Sequence, residues 1–553
     1  MSYVLTLDFE TRDPSIALGR GAGWPYKDFD ILGAAYKINN HPSVWTEDMN
    51  ELKEKINGAR TIIAHNAQYD LGCLSRLGIL FDDKLCVDTS ILAKLFDNTL
   101  MSYSLDSLAK DFLGQSKDYA ALEIVAAELG LRKYMGHMDA LHKARPDLVA
   151  QYARQDVDLT YALAQWFKAE LYKEALELVP FYSDLLKALV LWRSQGVFID
   201  LVQAEKSSAA LHALEEEART KFKTYCGDIN IESTKQVSEA VKLLGLTPGV
   251  SKKGGESVDA AWRSLQNHPA IDALSDAKKY QKLRREFVEG LVGRAEDGKI
   301  YPEINILGAV ETGRFSSSNP NIQQIPKRDG LATSLIRSLI IGDVGEKIYS
   351  LDFSSQEPRL QVHYAYLAGS PGADLLRQAF LANVQHDLHQ QVADLAGIDR
   401  KTAKTINLGI SYGMGIGKLS ATLKLSEREA STLLKKYKTM TPYLTDLSKK
   451  VQAAGMDKGY IRTLLGRRLA MDYEKPYKAL NKLIQGSAAD QTCMALVQAY
   501  REKLPILFSV HDEIVLSSKN PEDAVRVKNI MEGIAKLEVP SYTDVSEGDS
   551  WGG

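Results

Sequence analysis

Cysteine is scarce in this chain. Cys73, Cys86, Cys226 and Cys493 are the only four among 553 residues, and none forms a CxxC pair. Zinc fingers and a disulfide framework are therefore disfavoured, and a reducing, cytosolic compartment is expected. Long hydrophobic runs are lacking too. No apolar stretch approaches the ~18 residues that a membrane span needs, so no membrane association is expected. The first residues, Met1-Ser-Tyr-Val-Leu-Thr-Leu, have neither a basic leader nor a cleavage site and read as a strand. Internal repeats and low-complexity tracts are missing, which argues against solenoids and disordered tails. There is little excess charge of either sign, the formal net charge being −3. That value argues only weakly against a nucleic-acid binder, because metal-holding acids lower the total and a basic cleft can sit on a neutral protein.

What is present is ordinary in bulk: 45% apolar and 25% charged residues. The length exceeds what one hydrophobic core serves, so two to four domains are expected. Residues 1–175 mix short strands at 4–7, 31–38 and 61–64 with helices, as one α/β domain would. One long helical stretch is predicted from Pro180 past Ala218. A charged, helical region follows to Gly298, with a polar tip at 251–255. Its segment 278–294 is locally basic, with Lys278, Lys279, Lys282, Arg284, Arg285 and Arg294 against Glu286 and Glu289. Alone, that segment reads equally well as a solvated helix face. Strand signals return at 347–353 and 506–516, with mostly helix between them and a strand–turn element at 459–468. The pattern predicts a sheet with a helical lobe grafted onto it.

Two groups of acids stand out. Asp8 and Glu10 lie two apart near the end of a strand, so period-two alternation puts both carboxylates on one face. His65-Asn66-Ala-Gln-Tyr-Asp70 follows another apolar strand. Tyr152-Ala-Arg-Gln-Asp156 lies in a helical stretch, where i, i+4 spacing stacks Tyr152 over Asp156. Four carboxylates and a phenol suit a two-magnesium phosphodiester hydrolase: hard ions want carboxylate oxygens, and two ions about 4 Å apart can activate water and stabilise a leaving 3′ oxygen. Each piece alone also fits a surface acid, and His65 and Asn66 read as structural. In the second group, Lys347-Ile-Tyr-Ser-Leu-Asp352 ends a strand on a carboxylate. Phe508-Ser-Val-His511-Asp512-Glu513-Ile-Val-Leu reads as two strands with acids at the turn. If these strands are neighbours, Asp352 and Asp512 can share a metal pair; otherwise they are solvated turn acids.

The segment 400–413 places Arg400, Lys404, Leu408 and Tyr412 four apart. Such a stripe drifts only ~40° per step on an α-helix. One face then offers two cations, an apolar group and a ring, which suits a nucleoside triphosphate. An amphipathic core helix with snorkelling cations gives the same pattern.

Taken together, these segments resemble family A DNA polymerases, the group of bacterial DNA polymerase I and its Klenow fragment. The first acidic set resembles the DEDD-type 3′-5′ exonuclease superfamily, and 400–413 resembles the O-helix. Thr312-Gly-Arg314-Phe-Ser-Ser with Asn319-Pro-Asn-Ile-Gln-Gln-Ile-Pro326 resembles the block that meets the primer–template. Asp352-Phe-Ser-Ser-Gln-Glu357-Pro-Arg359 resembles motif A. Gln485-Gly-Ser-Ala-Ala-Asp490 and Val510–Glu513 resemble the last palm blocks, and the tail, Val539-Pro-Ser-Tyr and Gly548-Asp-Ser-Trp551, resembles the family's C-terminal strand. The implied fold is α/β and α+β multidomain: an RNase H-like exonuclease followed by a right-hand polymerase. Its expected parts are the exonuclease at 1–178, thumb at 179–300, palm at 301–370 and 456–553, and fingers at 371–455.

The resemblance implies residue roles as well. Asp352 and Asp512, with Glu513 nearby, would bind two Mg²⁺ ions (Mn²⁺ as substitute). Arg400 and Lys404 would grip the triphosphate, and Leu408 and Tyr412 would lie near the nucleotide and the templating pair. Glu357 would be the steric gate against a ribose 2′-OH. Arg314, Gln485 and His511 would touch the primer–template, whose phosphates a basic thumb at 278–294 and 251–255 would hold without reading sequence. Asp8, Glu10, Asp70 and Asp156 would bind the exonuclease metals, and Tyr152 would position water. Primer–template DNA and dNTPs are the expected partners, with a helicase, primase or processivity factor as further ones.

The sequence departs from the family pattern in places. Leu408 stands where the family has Phe or Tyr, Pro358 where it has Leu, and Tyr477 where many members have Arg. No 5′-nuclease region precedes Asp8, which suggests a phage, plasmid or organelle replicase. Competing expectations are an RNase D-type nuclease with a nucleic-acid-binding C-terminal region, a non-catalytic nucleic-acid binder, and a polymerase that uses RNA templates.

Overall fold

The acidic strand of the N-terminal region is realised as β1, Tyr3–Arg12, in the computed structural model of the chain. The structure describes residues 3–251, 253–327, 330–411, 414–423 and 425–553, without the side chains of 395, 396, 408, 410 and 411. β1 lies at the centre of a five-stranded sheet with β2 (Asp30–Ile38), β3 (Val44–Thr46), β4 (Ala59–Ala64) and β5 (Leu85–Asp88), in the order β3-β2-β1-β4-β5. β1 runs antiparallel to β2 and parallel to β4. Leu5, Leu7 and Phe9 are buried, the inward half of an alternation whose other half carries Asp8 and Glu10. The helix Pro146–Glu170 packs its Ala153 and Val157 against Ala35 of β2.

A second sheet, of four strands, has the order Ile506–Val510, Glu513–Ser518, Lys347–Phe353, Thr543–Gly548. Among the described residues, six helices between Ala373 and Lys458 form the expected helical insertion, around a core that includes Phe380, Ile406, Leu419 and Tyr437. The predicted strand–turn element is the hairpin Tyr460–Arg462/Arg468–Ala470.

Contacts divide the chain into two units. One comprises Met1–Val197, Tyr301–Gln323 and Asp343–Glu547, and holds both sheets just described; the other comprises Phe198–Ile300, Gln324–Gly342 and Gly548–Gly553. Within the first unit, Asn98 Nδ2 donates to the Val310 carbonyl (3.1 Å) while its Oδ1 accepts from the Ala470 amide (2.8 Å). Arg468 donates its amide to the Tyr172 hydroxyl at 3.0 Å, and Arg501 pairs with Asp184 at 2.8 Å. The second unit has its own core, with Phe222, Trp262, Ile271 and Leu274.

Two sequence expectations need correction. The long helix predicted from Pro180 past Ala218 is broken. It is Val179–Gln195, a short strand Val197–Ile199, and Leu201–Cys226. Gly196 makes the break at φ +67, and a Cβ there would lie 2.6 Å from the Tyr301 ring, so no side chain fits that turn. The stretch 278–294 is also less basic than its composition. Arg284 binds Glu215 and Glu289 at 2.8 and 2.6 Å, Lys278 binds Glu232 at 3.0 Å, and Lys282 lies 3.7 Å from Glu286. Acids distant in sequence neutralise cations that a local charge count leaves exposed.

Two candidate active sites

The first acidic site is built on β1 and two helices. Asp8 and Glu10 project from β1. Asp70 lies in the first turn of the helix Gln68–Arg76, with its Oδ1 accepting the Phe9 amide at 3.0 Å. Asp156 and Tyr152 lie one turn apart on Pro146–Glu170. All four acids therefore gather at one sheet face. Asp88, to which sequence reasoning gave no role, shapes the approach: its carboxylate accepts the amides of Asn66, Ala67 and Ser90 at 3.0, 2.9 and 2.7 Å. That holds Asn66 at φ +61, a conformation Asn tolerates better than most residues, and it orients the turn that delivers Asp70. An Asp just before the helical run Thr89–Phe96 is an N-cap signal that the sequence already carried. His65 Nδ1 shares a 2.8 Å hydrogen bond with Thr89 Oγ1, and burial pushes its pKa down to about 4.

Electrostatically this site is a crowd of like charges. Burial first, and the neighbouring acids second, raise the pKa of Asp8 well above the usual carboxylate range, and Glu10 is pushed up to about 8 for the same reasons. Burial raises Asp70 to about 8, partly offset by the Phe9 amide. One cation opposes this: Lys117 Nζ lies 2.5 Å from Asp156 Oδ2 and donates to the Tyr152 hydroxyl at 2.8 Å. Nothing in the local sequence announces Lys117, which arrives from a loop 35 residues before Tyr152. The donor chemistry fits hard divalent ions, and the buried Oδ1 of Asp156 has no hydrogen-bond partner. Among the described residues, however, no three acid, imidazole or thiol side chains converge closely enough to grip an ion without rearranging.

The second acidic site sits at one end of the four-stranded sheet. Asp352 is paired across the antiparallel ladder with Glu513, which places their Cβ atoms about 5 Å apart. The Phe353 amide donates to the Asp512 carbonyl at 3.2 Å, so Asp512, in the turn between Val510 and Glu513, lies beside Asp352 as the sequence required for a shared site. His511 makes the turn at φ +56. Glu513 is almost fully buried and accepts a short hydrogen bond from Ser350.

Beside the turn lies a cavity of about 270 Å³, lined by Arg314, Gln323, Gln356, Glu357, His511 and Asp512 among others. Arg314 and Glu357 form an ion pair across it. Gln485 is half-buried on the helix Ala479–Arg501. On that same helix Asp490 forms a buried ion pair with Arg467 at 2.5 Å. Arg467 also donates to the carbonyls of Thr312 and Gly486. Arg467 passes so close to Gly313 (φ +76) that a Cβ there would lie 1.9 Å from its guanidinium. Gly313 therefore lets the strand bearing Arg314 approach Arg467 and, through it, the helix Ala479–Arg501.

Arg400 and Lys404 share the helix Arg400–Ser411. Arg400 is half-exposed and pairs with Asp387 at 2.6 Å. Beneath this helix, Asn407 meets His389 at 3.1 Å, and burial pushes His389 down to about 4. Tyr412 and the Leu408 side chain lie outside the described residues. Pro358 is buried in the helix Gln356–Leu367, and Tyr477 is exposed.

Comparisons with known proteins agree on both regions. The family model for DNA polymerase family A matches residues 202–553, and a 3′-5′ exonuclease model matches 5–172. A DNA-directed DNA polymerase of Pseudomonas phage M6 is 29% identical, with 99% of this chain and 94% of the relative covered. DNA polymerase DpoZ of Acinetobacter phage SH-Ab 15497 is 27% identical, with 90% and 88% covered. A solved structure of the POL domain of Pol1 from M. smegmatis, in complex with DNA primer-template and dNTP, superposes with TM-score 0.82 at 24% identity, covering 100% of this chain and 96% of that one.

Proposed function

This chain belongs to DNA polymerase family A and carries a 3′-5′ exonuclease domain, and from that membership we propose which residues run each of its two reactions. It is a DNA-directed DNA polymerase. In our reading, Asp352 and Asp512 hold two divalent cations, Mg²⁺ or Mn²⁺. When bound, these ions supply a lowered pKa at the primer 3′-OH and neutralisation of charge on the leaving pyrophosphate. Glu513, held by Ser350, keeps the turn in place. Arg400 and Lys404 draw the triphosphate of a dNTP down with the helical lobe 371–455, the fingers. Leu408 forms an apolar floor under the nucleotide and Tyr412 lies near the templating pair. Glu357 fills the space a 2′-OH would need, so deoxynucleotides are selected. Arg314, Gln485 and His511 contact primer–template DNA, with 301–370 and 456–553 as palm and 179–300 as thumb.

Removal of a mispaired end falls to the exonuclease, 1–178. Asp8, Glu10, Asp70 and Asp156 hold its ions, and Tyr152 orients the attacking water. The observation that carries the whole reading is the strand register that sets Asp352 beside the turn of Asp512, which lines the cavity together with Glu357.

Primer extension by an Asp352→Asn variant tests it. Extension falls by about 10³-fold or more, while excision of a mismatched 3′ end continues. Extension at the unaltered rate would refute the assignment.

A further inference from the structure

The acids of the exonuclease face are held next to a lysine belonging to none of the motifs. Lys117 is nearly buried, as is its partner Asp156, their side chains being 14% and 7% exposed. Its ammonium touches Asp156 Oδ2 and the Tyr152 hydroxyl and lies 4.6 Å from the Tyr152 ring centroid. The loop that delivers it is fastened on both sides. The Lys117 amide donates to Asp106 Oδ1 at 2.8 Å, and the Asp118 amide donates to Gln155 Oε1 at 2.9 Å. Gln155 Nε2 in turn donates to the Ser116 carbonyl at 3.4 Å. Gln155 is the immediate neighbour of Asp156, so the loop is anchored to the turn of helix that carries the acid. Meanwhile Asp156 Oδ1 is buried without a partner.

Four acids on one buried face without a counter-charge would repel one another strongly in a poorly screened interior. An ammonium on a fastened loop supplies that counter-charge. It lies against an oxygen that a divalent ion would use.

We propose that Lys117 is a resident counter-cation of the exonuclease site: it holds the acids together in the metal-free protein and is displaced from Asp156 when a divalent cation binds. This rests on the exonuclease reading of the four acids. Metal entry then costs the lysine its ion pair. Its displacement also vacates the Tyr152 oxygen to which it donates.

The test uses the full chain with Asp352→Asn and Asp512→Asn, so that bound Mn²⁺, read by electron paramagnetic resonance, reports the first acidic site. Adding Lys117→Met tightens Mn²⁺ binding about tenfold, since the competing charge is gone, whereas Lys117→Arg stays close to the parent. Unchanged or weaker binding in the Met variant overturns the proposal, as does an Arg variant as tight as the Met variant. A Mn²⁺ signal that survives Asp8→Asn with Asp156→Asn overturns the metal reading of the acids itself.

A second readout leaves position 117 intact and covers a Met variant that fails to fold. Acetylation of Lys117 by acetic anhydride, followed by peptide mass spectrometry, runs several-fold faster with Mn²⁺ than without it; equal rates overturn the proposal.

Discussion

The two acidic sites solve one problem in opposite ways. The acids of the exonuclease domain are drawn from a strand and two helices and sit on a buried face, where burial first and one another second push their pKa upward. Among the described residues Lys117 is the cation that pairs with one of them, Asp156. Asp352 and Asp512 are set by one strand pairing and one turn, and Asp512 lines a cavity of about 270 Å³. Where solvent reaches carboxylates it screens them, so side-chain packing need not. Their geometry is fixed through main-chain bonds, which demand little of the neighbouring sequence.

The sharpest way to break the comparison is to disable one site at a time. Asp8→Ala removes mismatch excision by about 10³-fold or more, while matched-primer extension continues; simultaneous loss of both activities in a gel assay would mean that the sites are not independent. Next in size is the buried pair that supports the palm. Arg467→Met leaves Asp490 charged and unpaired in the core and costs about 3–5 kcal/mol, read as a lower denaturation midpoint. A companion Asp490→Leu recovers part of that loss.

A smaller effect is expected at the cavity. Arg314→Ala frees Glu357 from its partner, raises KM for dNTP or lowers extension by roughly tenfold, the worth of one charge-assisted contact, and leaves excision alone. The smallest is a pH effect confined to the exonuclease. Glu10 and Asp70 have folded-state pKa values raised to about 8. The folded protein therefore binds more protons than the unfolded chain between about pH 4.5 and 8, and metal-free stability falls as pH rises through that window. Hydrogen exchange should show β1 loosening toward pH 8 while Lys347–Phe353 stays protected, and Mg²⁺ should reverse the change.

The chemistry was legible in the sequence wherever it is packed into short segments. Asp8 with Glu10, Tyr152 with Asp156, and the turn at 511–513 each declare themselves through a period of two or four residues, or through a turn between apolar strands. Other features depend on partners far apart in the chain. Lys117 meets Asp156 only because a loop is tied back to a helix, and Arg467 meets Asp490 and Gly313 across three separate segments. The basic run at 278–294 misleads for the same reason, since Glu215 and Glu232 lie well before it. The break at Gly196 is announced only by a glycine and the three strand formers Val197–Ile199, a signal too short to stand out between two long helical stretches, yet the glycine facing Tyr301 makes the turn.

The amide of Asn98 clasps both the Val310 carbonyl and the Ala470 amide, and with Tyr172 and Asp184 it fastens the nuclease fold to the palm's own framework. These ties, at three separate points, oppose rotation of one sheet against the other. On the assignment proposed above, a primer end that passes from one acidic site to the other travels by melting out of its duplex, and the stability of its last few base pairs, weakest when one is mismatched, becomes the timer between extension and excision.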